Sequence, residues 1–259
     1  MSARARRRGL GAAIAVALAA LTWGLPAPAE RTARAQEETE SSLRPGTTAA
    51  RDYAARALRG FDVRVDRALL VDEGPDAALG LRALDALERD LASVAERVPP
   101  AALPRLRAVP IFLSRADVVT ACACYHPSAE WLEAHGFDPA KARAVELASA
   151  ERYLEWRIEQ PSMVLHELAH ALEHRHLGAE SARIDAALER MAESGTYDEV
   201  LRASGRRDRH YALTNRAEYF AETSEALFGT NDFWPFVRAE LREADPDGAA
   251  LVEELWRLE

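Results

Sequence analysis

The segment His166-Glu167-Leu168-Ala169-His170 sets three ionisable side chains inside a helical stretch that is apolar on several faces, through Met163-Val164-Leu165 before it and Ala171-Leu172 after it. A helix apolar on all sides belongs in a core. Imidazoles and a carboxylate buried there without partners would be costly, so the fold has to supply something that satisfies them. At 3.6 residues per turn, residues four apart share a face. Both imidazoles can then meet one ion at roughly 2.0–2.1 Å, which is zinc chemistry. Glu167, turned by about 100° from His166, stands beside such an ion, where it can take a proton from an activated water and return it to a leaving amine. The motif predicts one zinc per chain, held by His166 and His170, with Glu167 as general base.

Catalytic zinc takes three protein ligands, and two candidates compete for the third place. His176 follows His170 by six, the spacing used by metzincins, in which a glycine midway turns the chain. Here that position is Glu173, a good helix former, and an unbroken helix carries His176 to another face. The methionine turn of those enzymes would have to come from Met191, which lies in the helical run from Ala186 to Met191. A metzincin-type site using His176 therefore stands as the alternative. The second candidate is a carboxylate within Thr214-Asn215-Arg216-Ala217-Glu218-Tyr219-Phe220-Ala221-Glu222-Thr223. Glu218 and Glu222 share a face, and spacing alone does not choose between them; Asn215 is placed to cap this helix, with Glu218 as the acid of a capping box.

The two segments together resemble the gluzincin branch typified by the anthrax lethal factor catalytic domain and the secreted Pro-Pro endopeptidases. Pro161 through His170 supplies the first element. Tyr211, seven residues before Glu218-Tyr219-Phe220-Ala221-Glu222, supplies the second. The resemblance covers about a third of the chain, from Val145 to Gly229. It implies a zinc-dependent peptidase acting on a peptide or protein substrate, with Glu218 as third metal ligand. It also implies that Tyr211 donates its phenol to the oxyanion of the tetrahedral intermediate, as a donor facing the metal would. Glu222 is expected to hydrogen-bond a ligating histidine. An exported zinc-binding or structural module without activity is the competing expectation.

Helical signals surround this core. Ala49 to Leu58 and Asp76 to Val98 show three-and-four spacing, and Pro99-Pro100 stops the second run. Further helices are expected from Ser162 to His176, Ala179 to Glu193 and Asn215 to Phe228. Ala108 to Leu113 reads as a strand whose proline favours an end or edge position, and Ala144 to Ala148 as a weaker one, placed to pair with extended substrate. Between them Cys124 to Ser128 reads as a loop, with Ser128 capping a short helix that reaches His135-Gly136. His126, in a His-Pro turn, and His174, at a solvated helix end, read as structural. The expected class is α+β: a mostly helical, zincin-like metallopeptidase domain with a small sheet packed on the motif helix.

Arg4, Arg6, Arg7 and Arg8 precede an apolar run from Leu10 to Leu21 and Ala27-Pro28-Ala29, which predicts a signal peptide over residues 1–29 and export to the periplasm or medium. An uncleaved anchor would be the one route to a membrane. Residues 30–48, rich in Glu, Ser, Thr, Gln and Pro, predict a disordered linker, and 49–259 a catalytic domain with a helical preface over 49–103. Loss of four arginines would leave the mature chain four units more acidic than the formal −9 of the whole. Such a surface repels a phosphate backbone, so no nucleic-acid partner is expected. The only cysteines, Cys122 and Cys124, are too few for a disulfide framework; they can close on each other or sit as small partly buried side chains.

Overall fold

The computed structural model describes residues 52–116 and 123–258. The expected signal peptide, linker and Cys122 lie outside the described residues. In chain order the elements are β1 (Tyr53–Leu58), β2 (Phe61–Asp66), α1 (Pro75–Arg97), α2 (Leu103–Arg107), β3 (Ile111–Leu113), β4 (Ala123–Tyr125), α3 (Ala129–Ala134), β5 (Val145–Leu147), α4 (Ala150–Glu159), α5 (Met163–His176), α6 (Ser181–Ser194), β6 (Val200–Leu201), β7 (Arg207–Asp208), α7 (Arg216–Phe228), α8 (Arg238–Ala244) and α9 (Pro246–Leu255), with short 3-10 turns between. This is an α+β fold. Its main sheet has five strands in the order β1-β2-β3-β5-β4, antiparallel at both ends and parallel between β2, β3 and β5, and β6 pairs with β7 in a second, two-stranded sheet.

The start of the domain corrects the expected helix over Ala49 to Leu58. Tyr53–Leu58 is instead the first arm of a hairpin, turned by Arg59 (φ 52°) and Gly60 (φ 85°). Two consecutive positive φ values are what a tight hairpin with right-twisted arms needs. Phe61, Val63 and Val65 on the second arm are fully buried in alternation. Pairing with that arm overrides the helical preference of an alanine-rich segment. By contrast α1 forms as expected, behind Gly74 and Pro75, with Leu79, Ala83, Ala86, Leu87, Leu91 and Val94 buried along one face.

Pro110 immediately precedes β3, so it occupies an end position; the strand itself lies inside the sheet, between β2 and β5. The strand expected to meet substrate, β5, is also interior. The sheet's edge strands are β1 and β4; β4 falls in the stretch read as loop, and β4 and β5 pack on the motif helix α5. Three residues with a cysteine are too short to show period-2 patterning, which is why the edge was invisible in the sequence. Ser128 caps α3 by accepting from the Trp131 amide at 3.1 Å, as expected. Among the described residues no helix is long and apolar enough to cross a membrane.

Helices α5 and α7 pack on each other at the centre of the domain. Behind α7, Trp256 is fully buried against Phe220 and Phe228, and its indole N–H donates to Ser224 Oγ at 2.8 Å. Where α7 ends at Gly229, the head of α5 comes very close: a Cβ on Gly229 would stand 2.2 Å from Ser162 Oγ, which accepts from the Thr230 amide at 2.8 Å. Gly229→Ala is expected to push the two helices apart and cost about 1–3 kcal/mol, as overpacking does. The urea midpoint reports it; an unchanged midpoint would mean that the contact yields freely.

Candidate metal centre

The site is made where α5 and α7 face each other. Met163, Val164, Leu165, Leu168, Ala169, Ala171 and Leu172 bury α5 on several sides, and this leaves His166, Glu167 and His170 in the interior. Asn215 caps α7 by accepting from the Glu218 amide at 3.0 Å. Two ion pairs fix the approach of the helices: Arg216 donates to Glu173 on α5 at 2.9 Å and reaches Asp185 on α6 at 3.1 Å. Glu173 is thus drawn inward and the helix runs on without a turn. His176 is left exposed on another face, and Met191 is a buried core residue of α6.

His166, His170 and Glu218 come together as a buried group. Glu218 Oε2 lies 3.1 Å from His166 Nε2 and 3.4 Å from His170 Nε2. Ligands of a tetrahedral ion with bonds near 2.0–2.1 Å stand about 3.3 Å apart. Both distances match that edge. Two other clusters of metal-binding residue types do not. In His166, Glu222 and Glu225, the His166 Nδ1 is 2.6 Å from Glu225 Oε1, which fits a shared proton and leaves no room for an ion between them. In Cys124, His126 and Glu146, His126 Nε2 is 2.7 Å from Glu146 Oε2, the Lys141 ammonium already pairs with the same carboxylate, and Cys124 is disulfide-bonded.

The electrostatics favour a cation at the first group. Burial pushes the Glu218 carboxyl up, but His170 and His166 outweigh it and hold it well below the ordinary range. Burial lowers His166, while its bonds to Glu218 and Glu225 more than reverse that and raise it well above the usual value. Glu167, Glu218, Glu222 and Glu225 are all buried here beside two imidazoles, an excess of negative charge that calls for protons or a metal. Glu222 Oε2, Glu225 Oε2 and His170 Nδ1 have no hydrogen-bond partner among the described residues.

Glu167 is held from the sheet. Its Oε2 accepts from the Tyr125 amide of β4 at 2.7 Å. Burial raises its pKa, against the pull of the two imidazoles and this amide. A raised carboxyl is what a group that both takes and gives protons near neutrality requires. Tyr211 sits half-buried at the start of the 3-10 turn Tyr211–Thr214 that leads into α7. Burial, reinforced by the charge of Glu218, drives its phenol well above the ordinary value, so it stays a proton donor. His210 next to it is pushed down to about 3 by burial and accepts from the Ala212 amide through Nδ1.

His166, His170 and Glu218 thus form one group, and Glu167 and Tyr211 lie near enough to feel its charges. Glu222, expected to support a ligating histidine, is 3.8 Å from His166 Nδ1, and Glu225 makes that bond instead. The signal was present, since Glu225 lies seven residues after Glu218 and so returns to its face after two turns. His126 is buried against Glu146, in keeping with its structural reading, and the Tyr125 hydroxyl lies 2.9 Å from His174 Nδ1. In comparisons with known proteins the chain matches no family model, no curated protein and no solved structure at a significant level.

Proposed function

We propose that this chain is an exported zinc-dependent peptidase that hydrolyses peptide bonds in a peptide or protein substrate. Its support is the Glu218 oxygen at tetrahedral-edge distance from both imidazoles, with Glu167 tied to the sheet edge beside them. A zinc ion held by His166, His170 and Glu218 would supply a water of pKa near 7 and polarise the scissile carbonyl. Glu167 takes the proton of the attacking water and passes it to the departing amine. Tyr211, kept protonated by burial and by the neighbouring acids, donates to the carbonyl oxygen as it becomes an oxyanion. Substrate enters extended along β4, whose one strand partner among the described residues is β5, so main-chain hydrogen bonds align the peptide whatever its side chains.

Metal content and proteolysis test this together. Purified protein is expected to carry about one zinc per chain by elemental analysis and to cleave an unfolded protein, with cleavage stopped by a chelator and restored by zinc. Folded protein that takes up no zinc on reconstitution would sink the proposal. Zinc without cleavage of any of a broad set of unfolded proteins and peptides would favour a metal-binding module instead.

A further inference from the structure

Helix α7 holds one imidazole of α5 from both sides. Glu218 Oε2 faces His166 Nε2 at 3.1 Å, and Glu225 Oε1, two turns later, faces His166 Nδ1 at 2.6 Å. Seven residues at 1.5 Å rise separate the two acids by about 10.5 Å along the axis, and their side chains lean toward each other to close on the ring. Both are buried. A carboxylate only accepts, so Nδ1 carries the proton in this contact, and with a metal bound at the proposed site Nε2 would present its lone pair where Glu218 and His170 converge. Glu222 lies between the two acids in sequence but is 3.8 Å away, beyond hydrogen-bond reach.

We infer that Glu225 is the positioning residue for His166: its hydrogen bond to Nδ1 fixes the tautomer and the ring plane that the metal requires, and Glu222 does not share this task. The inference rests on the zinc site proposed above. One helix then provides a metal ligand and the orientation of another, so α7 sets the geometry of the centre as much as the motif helix does. His166 Nδ1 is also the only ring nitrogen of the two ligating histidines with such an anchor, since His170 Nδ1 has no partner among the described residues. Loss of Glu225 should therefore free the Nδ1 side of His166, which no other hydrogen bond among the described residues holds.

The test is zinc affinity of the full chain, measured by competition with a chromophoric chelator, beside the thermal midpoint of the metal-free protein. Outer partners of metal-bound histidines typically contribute 10–100-fold in affinity. Glu225→Leu is expected to weaken zinc binding by about that factor. Glu225→Gln, whose amide oxygen still accepts from Nδ1–H, should recover most of it, and Glu222→Gln should stay within about threefold of the parent. If Glu225→Leu does not fold, Glu225→Asp serves, because it keeps the charge but withdraws the oxygen from Nδ1; a loss of affinity with it is again expected. Parent-like affinity in folded Glu225→Leu or Glu225→Asp, or a loss confined to Glu222→Gln, overturns the inference, and a shift of the midpoint alone would mark Glu225 as merely structural. A parent protein that binds no zinc brings down the proposed function itself, which separates the two failures.

Discussion

Replacing Glu218 with alanine is expected to abolish stoichiometric zinc binding, with affinity falling by more than the ~100-fold that loss of an outer-shell partner can cost. Glu218 Oε2 is the carboxylate oxygen within 3.4 Å of both His166 Nε2 and His170 Nε2. No other acid of α7 can take its place without moving, since Glu222 and Glu225 lie on the Nδ1 side of His166. The remaining two imidazoles would give zinc only two protein ligands, one short of the usual three. His176→Ala is the matched comparison and should keep its metal, because His176 is exposed and Glu173, held by Arg216, keeps the helix straight past the point where a metzincin chain would turn. Elemental analysis after dialysis decides it. Retained zinc in Glu218→Ala, with loss in His176→Ala, would reverse the ligand assignment.

Glu167→Gln should separate metal binding from hydrolysis. The glutamine has nearly the same shape, and its amide oxygen can still accept from the Tyr125 amide that now binds Oε2 at 2.7 Å. The protein should therefore fold and hold zinc as the parent does. What it loses is a group able to take up and release a proton, and positioned general bases typically contribute about 10²–10⁴-fold. Cleavage of an unfolded substrate is expected to fall by that order at unchanged zinc content. Activity near the parent level in a zinc-loaded Glu167→Gln protein would remove Glu167 from the reaction.

Several features were legible in the residues because they depend on helical periodicity and local capping. The helix around His166 and His170, the helix opened by Asn215 and closed by Gly229, and the cap at Ser128 all appear where spacing and side-chain chemistry put them. The pairing of His166 and His170 follows from 3.6 residues per turn and needs no fold.

The sequence by itself thus determined the two helices, the face each presents, and the residue types able to hold a metal. Tertiary structure decided which of those faces meet. It brought Glu218 to the Nε2 atoms and gave the Nδ1 contact to Glu225 rather than Glu222, a choice between acids that share a helix face and differ only in where the opposing helix crosses. It also made Tyr53–Leu58 a strand and Ala123–Tyr125 the sheet edge that holds Glu167, because strand pairing is a non-local contact that short segments do not announce. Local hydrogen bonding is written in neighbouring residues, whereas the register between distant elements is fixed only when the core they share is packed.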